Sequence, residues 1–309
     1  MAPKSKRIFF VLLLGAVLIG GTGAGLFFRF ARPIGSGPAG PAVDRAGFAS
    51  PWTTRPVWFV GLGDSVTAGF GARKGLSYFD RLARNAGNEF PEMNGLCLAS
   101  VFPHLRSTNL AVSGSTSSEV LQRQLNSLPT NRADVFGLVV MTTGGNDIIH
   151  NYGRTPPREE AMYGATMEEA RPWVDNFSRR LESTLAQIES RFPGGCEIFL
   201  ADIFDPTDGL GDAASAGLPA WKDSVNVLEA YNAAIRHAAE TDSHVHVVDI
   251  HQAFLGHGIH CTQFWRAHFD RHDPHYWFFY NLEDPNERGY DVIRRLFLVE
   301  IAKDKNRIK

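Results

Sequence analysis

Cysteine and net charge are both scarce in this sequence. The 309 residues include three cysteines, Cys97, Cys196 and Cys261, which stand far apart, so no zinc-binding pair of the Cys-x-x-Cys type is present. An odd number of cysteines also limits the chain to one internal disulfide. The formal net charge is −2. The chain therefore lacks the surplus of basic residues that is typical of a nucleic-acid-binding protein. These shortages argue against structural zinc and against a nucleic-acid partner.

Charged residues are absent from one long apolar run near the N-terminus, Ile8–Phe28. Basic residues precede the run and Arg29 and Arg32 follow it, as in a membrane-spanning helix with basic flanks. A cleaved signal peptide is the competing interpretation, but the run is long for one and no clear Ala-x-Ala site follows. We predict that residues 1–30 form a membrane anchor or signal sequence, with the anchor favoured. The protein is then single-pass with its domain on the extracytoplasmic side; the alternative is secretion.

Residues 31–56 are rich in proline, glycine and alanine and show no apolar period. Such a composition is typical of a semi-extended and poorly ordered linker. We predict that one folded domain occupies residues 57–309, which is long enough to bury a substantial core.

Short apolar segments alternate with longer amphipathic ones through the predicted domain. The apolar segments have the composition of strands buried on both faces, and they cover residues 57–62, 108–112, 135–141, 197–202 and 244–249. The clearest helices between and after them are predicted over residues 172–192, 219–241 and 288–304. This alternation indicates an α/β fold, a three-layer α/β/α sandwich with a five-stranded parallel sheet. In such folds the functional site lies beyond the carboxyl ends of the strands.

Polar residues and glycines occupy the loops that follow the first three predicted strands. Ser65 follows the first strand in GLGDSVTAGFG, at the start of a predicted helix. Gly114 and Asn146 follow the second and third strands, in NLAVSGSTSSEVL and TTGGNDII. Each has an ordinary structural explanation alone, since serine and asparagine cap helices and glycine permits turns. Together they bring a hydroxyl nucleophile and three hydrogen-bond donors to one edge of the sheet.

This ordered trio resembles the GDSL, or SGNH, hydrolase family, and the resemblance covers roughly residues 57–304. GDSV matches the nucleophile block, AVSGST the second block and GGND the third. The resemblance implies the flavodoxin-like fold of that family and Ser65 as nucleophile. It also implies an oxyanion hole formed by the backbone N–H groups of Ser65 and Gly114 with the side chain of Asn146. The G-x-S-x-G elbow of other serine hydrolases is absent from the sequence.

The last family block departs from its pattern at both acid–base positions. The family's D-x-x-H-P-N, followed by glycine and the final helix, aligns with NLEDPNERGY at residues 281–290. Asp284 then stands where the histidine belongs, and Asn281 where its aspartate partner belongs. Three accounts are open: Asp284 is the base, a histidine from elsewhere takes that role, or the domain binds without hydrolysis. An aspartate with an ordinary pKa of about 3.9 is a poor base at neutral pH.

A histidine-rich insert just before the last block offers replacement bases. Residues 256–277 contain five histidines. We predict that His260 or His268 acts as the base, with Asp284 or Glu283 orienting it. A metal site built from several of these histidines is the alternative, although no spacing such as H-E-x-x-H is present. No cofactor is predicted.

The sequence therefore predicts an exported, membrane-anchored serine hydrolase that cleaves an acyl ester of a lipid or carbohydrate through Ser65. The alternative is a catalytically silent domain of the same fold that binds an acylated or glycan ligand. The predicted partners are a small-molecule, glycan or lipid ester and, through the N-terminal helix, the membrane.

Overall fold

The computed structural model describes residues 3–151 and 155–308 and is built around one parallel sheet. Its strands are β1 (Val57–Gly63), β2 (Leu105–Asn109), β3 (Phe136–Thr142), β4 (Cys196–Ala201) and β5 (Val245–Val248). The neighbouring strands pair in parallel in the order β2-β1-β3-β4-β5. This is the flavodoxin-like order, so the predicted five-stranded parallel α/β fold is confirmed.

Helices precede, connect and follow the strands. In chain order the α-helices of the described residues are α1 (Pro3–Phe30), α2 (Ser65–Ala68), α3 (Tyr78–Ala83), α4 (Leu98–Val101), α5 (Ser117–Glu119), α6 (Gly145–Ile149), α7 (Met167–Ser190), α8 (Ser224–Thr241), α9 (Ile250–Phe254) and α10 (Glu287–Lys303). One apolar core lies between the sheet and α3, α9 and α10, and a second lies between the sheet and α7 and α8. Successive residues of β1 point to opposite cores: Phe59 belongs to the first and Val60 to the second. The sheet is therefore covered on both faces.

Two elements begin earlier than the apolar pattern predicts. Helix α7 starts at Met167 and not near residue 172, because Thr166 and Glu169 form a capping box that satisfies the first backbone N–H groups. Strand β2 covers Leu105–Asn109, whereas residues 108–112 were predicted. It is an edge strand with partly or fully exposed residues, so the rule for strands buried on both faces does not apply to it.

Residues 31–56 lie against the domain and are not a free tether. The Pro33 carbonyl accepts a hydrogen bond from the Tyr276 backbone N–H (2.7 Å), and Arg288 donates to the Pro38 carbonyl (3.1 Å). Ala39 and Phe48 are buried in the core beside α10. Backbone hydrogen bonds and apolar side chains therefore connect to the domain a segment whose composition is typical of a poorly ordered linker.

Helix α1 contains the apolar run. Its stretch Leu12–Phe30 has 19 residues, a mean hydropathy of 1.6 and no buried share. Length and composition suit either a membrane span or a signal sequence. At its end the Phe28 ring packs edge-on against Trp265, with ring centroids 4.9 Å apart, and contacts Phe264 in the same way.

Candidate active site

The turn after β1 presents Ser65 at the carboxyl end of the sheet. Gly63 has a φ of +115°, and a Cβ there would lie 1.8 Å from the Thr142 carbonyl oxygen, so glycine is required for this approach of β1 to β3. Asp64 caps α2 by accepting a hydrogen bond from the Val66 N–H (3.1 Å). Ser65 is the first residue of α2 and is half-buried. Its hydroxyl is thus held at a fixed point above the sheet.

Asp64 is itself fixed by hydroxyl groups below the turn. Thr142 donates a hydrogen bond to its Oδ1 (2.6 Å), and Thr67 lies 2.8 Å from the Thr142 hydroxyl. Burial raises the pKa of Asp64 to about 6, although the hydrogen bonds from Thr142 and Val66 lower it. The Asp64 carboxyl is therefore held by Thr142 and Val66, and in this way it fixes the turn that carries Ser65.

The loops after β2 and β3 bring two of the predicted oxyanion donors together. Gly114 has a φ of +84°, which favours glycine in the loop after β2. Asn146 stands in the first turn of α6, after β3, and its Nδ2 donates to the Ser115 carbonyl (3.1 Å). Asn146 lines the same cleft as Ser65, whereas Gly114 lines a neighbouring cavity beside His150. The side chain of Asn146 therefore bridges the Ser65 cleft and the Gly114 loop.

Asp284 reaches Ser65 from the segment that precedes α10. Asn281 donates from Nδ2 to Asp284 Oδ2 (2.7 Å), and the Asp284 N–H donates back to Asn281 Oδ1 (3.2 Å). Asp284 is 3% exposed, and this burial raises its pKa, while the Ser65 hydroxyl and the Asn281 amide lower it. Oδ1 has no hydrogen bond of standard geometry, so the contact with Ser65 is longer or less well aligned than an ideal one. Such looseness is common for catalytic pairs in the absence of substrate.

A small cleft of about 60 Å³ opens over Ser65. Asn146 and Ile149 form one side, and Ile203, Phe204 and Glu283 are also among its lining residues. Asp202, at the end of β4, lines it too, and burial raises the pKa of this carboxyl to about 7. A serine hydroxyl, several carboxyl groups and an amide donor therefore line one cavity, and these are the kinds of group that acyl transfer uses.

A scan against protein families matches residues 62–292 to the GDSL-like lipase/acylhydrolase family. The match includes all three loops and the Asp284 segment. The chain belongs to this family. Membership identifies it as a hydrolase of the esterase and lipase type. A search of curated proteins finds no match.

Solved structures of GDSL-type enzymes share the fold. A variant of an acetyl xylan esterase from Geobacillus stearothermophilus is 16% identical, with a TM-score of 0.50 over 81% of this chain and 96% of that one. Phospholipase A1 from Streptomyces albidoflavus is 21% identical, with a TM-score of 0.49 over 80% and 98% of the two chains. An extracellular lipase from Streptomyces rimosus is 21% identical, with a TM-score of 0.48 over 80% of this chain and 99% of that one. At this identity the likeness to the acetyl xylan esterase shows the fold alone.

The two histidines predicted as bases are not among the residues that line the Ser65 cleft. His260 is buried and pairs through Nε2 with Asp212 Oδ1 (2.8 Å), while its backbone N–H donates to Asp208 (2.9 Å). His268 is exposed and lies beside Gly209. His260 and His268 therefore lie outside this cleft, whereas the Ser65 hydroxyl is near enough to Asp284 to lower its pKa. Within residues 3–151 and 155–308, no group of three metal-binding side chains supports the metal alternative.

Gln124 is a supporting residue that no sequence pattern marks. Its Oε1 accepts from the Gly63 N–H (2.8 Å), and its Nε2 donates to the Gly63 carbonyl (2.7 Å) and to Ser115 Oγ (3.1 Å). One buried amide therefore holds the nucleophile turn and the Gly114 loop together. From the sequence alone, a glutamine in a polar helical segment is predicted to be exposed, because glutamine is mostly found at protein surfaces.

Asp147 supports the same region from the other side. It follows Asn146 directly, is buried, and accepts a hydrogen bond from the Ser117 N–H (2.8 Å). Arg180 of α7 donates to Asp147 Oδ1 (3.0 Å) and to Ser117 Oγ (2.8 Å). Burial raises the pKa of Asp147, whereas Ser117 and Arg180 lower it. The GGND loop is thus tied to α5 and α7, which keeps Asn146 in place.

Proposed function

We propose that this GDSL-family hydrolase cleaves an ester through Ser65, with Asp284 as the general base. The observation that carries the proposal is that the Asp284 carboxyl is buried near Ser65, whose hydroxyl lowers its pKa, while Ser65 and Asn146 line one cleft. Burial raises the pKa of Asp284, so its carboxylate binds a proton more strongly than an ordinary aspartate does. A raised pKa makes Asp284 a stronger base than an ordinary aspartate, which weakens the objection that an aspartate cannot accept the serine proton at neutral pH.

The reaction follows the usual course of acyl transfer. Asp284 takes the proton of the Ser65 hydroxyl as Oγ attacks the ester carbonyl carbon. The negative charge that develops on the carbonyl oxygen is received by the Ser65 and Gly114 N–H groups and by Asn146 Nδ2. The alcohol leaves with the proton from Asp284. A water molecule, deprotonated in turn by Asp284, then attacks the acyl carbon, and Asp284 returns that proton to Ser65 Oγ as the acid is released.

Asn281 is the positioning residue for this base. Its Nδ2 holds Oδ2 of Asp284 and leaves Oδ1 for the serine. An aspartate at 281 would put two carboxylates at 2.7 Å, which would repel each other. The two departures from the family pattern are therefore compatible only as a pair: an aspartate base at 284 requires a neutral donor at 281.

The test is covalent labelling with a fluorophosphonate, which reacts with activated serine hydroxyls. We expect stoichiometric labelling of the protein at Ser65 and none in Ser65→Ala, with peptide mapping to locate the adduct. Wild-type protein that stays unlabelled and hydrolyses no ester would instead favour a silent domain of the same fold that binds an acylated or glycan ligand.

We further propose that α1 anchors the domain in a membrane, with the domain on the extracytoplasmic side. Support comes from the unburied apolar stretch Leu12–Phe30 and from Phe264 and Trp265, which are 64% and 54% exposed and pack on Phe28. Aromatic residues at the end of an apolar helix are typical of the membrane interface, and basic residues before it favour the inside for the N-terminus.

Cell fractionation tests the anchor. The full chain should sediment with membranes and resist alkaline washing, whereas a chain that begins at residue 31 should remain in solution. Intact chain that retains residues 1–30 in the soluble fraction would contradict the anchor, and a mature N-terminus beyond residue 30 would show a cleaved signal sequence.

A further inference from the structure

The histidine-rich insert at residues 256–277 is joined to the end of α1. Gln263 donates a hydrogen bond from Nε2 to the Phe28 carbonyl (2.9 Å). The Phe28 ring packs edge-on against both Phe264 and Trp265, with centroids 5.7 Å and 4.9 Å away. A polar contact and two aromatic contacts therefore connect the last turn of the helix to the tip of the insert.

The chain that leads from α1 into the domain is held by the same insert. Helix α1 ends at Phe30, and three residues later the Pro33 carbonyl accepts a hydrogen bond from the Tyr276 N–H (2.7 Å). Between these points the Arg32 guanidinium lies over the Tyr276 ring, 5.6 Å from its centroid. These contacts limit how far the domain can swing about the end of the helix.

The length of the apolar stretch sets the depth of Phe28 in a bilayer. Leu12–Phe30 has 19 residues, which as a helix measures about 28 Å. The hydrocarbon core of a bilayer is about 30 Å thick. When α1 spans the membrane, Phe28 therefore lies at one edge of the hydrocarbon, and Phe264 and Trp265 lie at the same level because they touch its ring.

These two aromatic side chains are exposed although the insert around them is packed. Phe264 is 64% exposed and Trp265 is 54% exposed. Ile259 and Cys261, a few residues earlier, are buried in the core beside α10. Two adjacent exposed aromatic rings on a well-packed segment form an apolar patch, and aromatic side chains are enriched where lipid meets water.

We infer that the insert is a second membrane contact: Phe264 and Trp265 enter the edge of a phospholipid bilayer beside Phe28 and hold the domain there in one orientation. The inference rests on the proposed anchor, because the bilayer must surround α1. It also goes beyond the anchor, since a single spanning helix attaches a domain to the membrane without determining which face of the domain meets the lipid.

The orientation extends to the Ser65 site because the insert continues into the segment that carries Asp284. The Trp277 carbonyl accepts from the Asn286 N–H (2.8 Å), and the Phe279 N–H donates to the Asp284 carbonyl (2.7 Å). A domain held on the lipid through the insert therefore presents the Ser65 cleft at a fixed angle to the membrane surface.

Tryptophan fluorescence tests the lipid contact. The full chain is placed in phosphatidylcholine vesicles in which part of the lipid carries bromine close to the headgroup and quenches nearby indoles. Most of the quenching by this lipid should disappear in Trp265→Phe, because the other indoles lie within the domain. Trp173→Phe is the matched control and should leave the quenching unchanged, since α7 packs on the face of the sheet opposite to the insert.

Energy transfer from the domain to the lipid tests the orientation. The native cysteines are buried, so a fluorophore can be attached at Ala186→Cys, an exposed position of α7. Transfer to labelled headgroups should report one narrow range of distances. Replacing both Phe264 and Trp265 with aspartate should broaden that range, because carboxylates are expelled from lipid. Val112→Asp removes another exposed apolar side chain and should keep the range narrow.

Vesicle flotation of each variant separates the outcomes. A chain that floats with the vesicles while Trp265 is quenched by aqueous iodide and not by the brominated lipid would overturn the contact and leave the anchor intact. Equal distance ranges with and without the two aspartates would overturn the orienting role. A chain that retains residues 1–30 and does not float would remove the anchor and this inference together. Trp265→Phe keeps an aromatic ring at an exposed position, so the quenching test does not depend on a variant that fails to fold.

Discussion

Asp284→Asn and Ser65→Ala should each lower kcat for a simple ester about 10⁴-fold, and the double variant should be no worse than either. Asparagine keeps the shape of Asp284 and can still accept from Asn281, but it cannot take the Ser65 proton. Asp284 takes the Ser65 proton in the same step in which Ser65 attacks the ester. Removing either side chain therefore abolishes that step. The effects are therefore strongly non-additive.

Steady-state kinetics at pH 7 to 8 measures kcat for wild type, the two single variants and the double variant. His260→Ala and His268→Ala are the controls. Both histidine variants should keep activity within a few-fold of wild type, since neither side chain lines the Ser65 cleft. If a histidine variant loses activity and Asp284→Asn keeps it, the base is a histidine of the 256–277 insert that moves to Ser65 in the substrate complex. Thermal unfolding of each variant separates loss of chemistry from loss of fold.

The sheet and the first three site loops could be predicted because their signals are local. A strand buried on both faces must be apolar along its length, and the loop after it must supply the turn glycine and the polar side chain at known positions. Ser65 and Asn146 follow buried strands in this way and line one cleft. A supporting residue such as Gln124 carries no such signal, because it acts through backbone contacts that exist only after distant elements pack.

Asp284, the base that we propose, could not be preferred from the sequence, because the number of histidines in a segment does not reveal which partners they have. The histidine-rich insert offers several possible bases. In the structure, however, the His260 ring already pairs with Asp212, and its backbone N–H donates to Asp208. Sequence alignment did place Asp284 in the family's histidine position. What it lacked was the burial that raises the pKa of this carboxyl, which depends on packing around the segment before α10.

Rebuilding the family's pair, Asn281→Asp with Asp284→His, should move the acidic limb of the pH–rate profile to higher pH. The base must be deprotonated in both proteins, so kcat/KM rises with pH through the pKa of the base and then levels off. In wild type that group is an aspartate whose pKa is raised by burial but held down by Ser65 and Asn281. In the double variant it is an imidazole with an ordinary pKa of about 6.5, which a neighbouring carboxylate raises further. At pH 5, with each rate expressed relative to its own high-pH plateau, the double variant should therefore be less active than wild type.

The single change Asn281→Asp distinguishes a coupled pair from two independent positions. Alone it sets two carboxylates against each other, so the proton shared by them is held more tightly, the limb moves upward and the protein is destabilised at neutral pH. Adding Asp284→His converts that repulsion into an ion pair or a charge-assisted hydrogen bond and should restore both activity and melting temperature. If Asn281→Asp leaves rate, pH profile and melting temperature unchanged, the two positions are not coupled, and Asp284 is not the base that Asn281 orients.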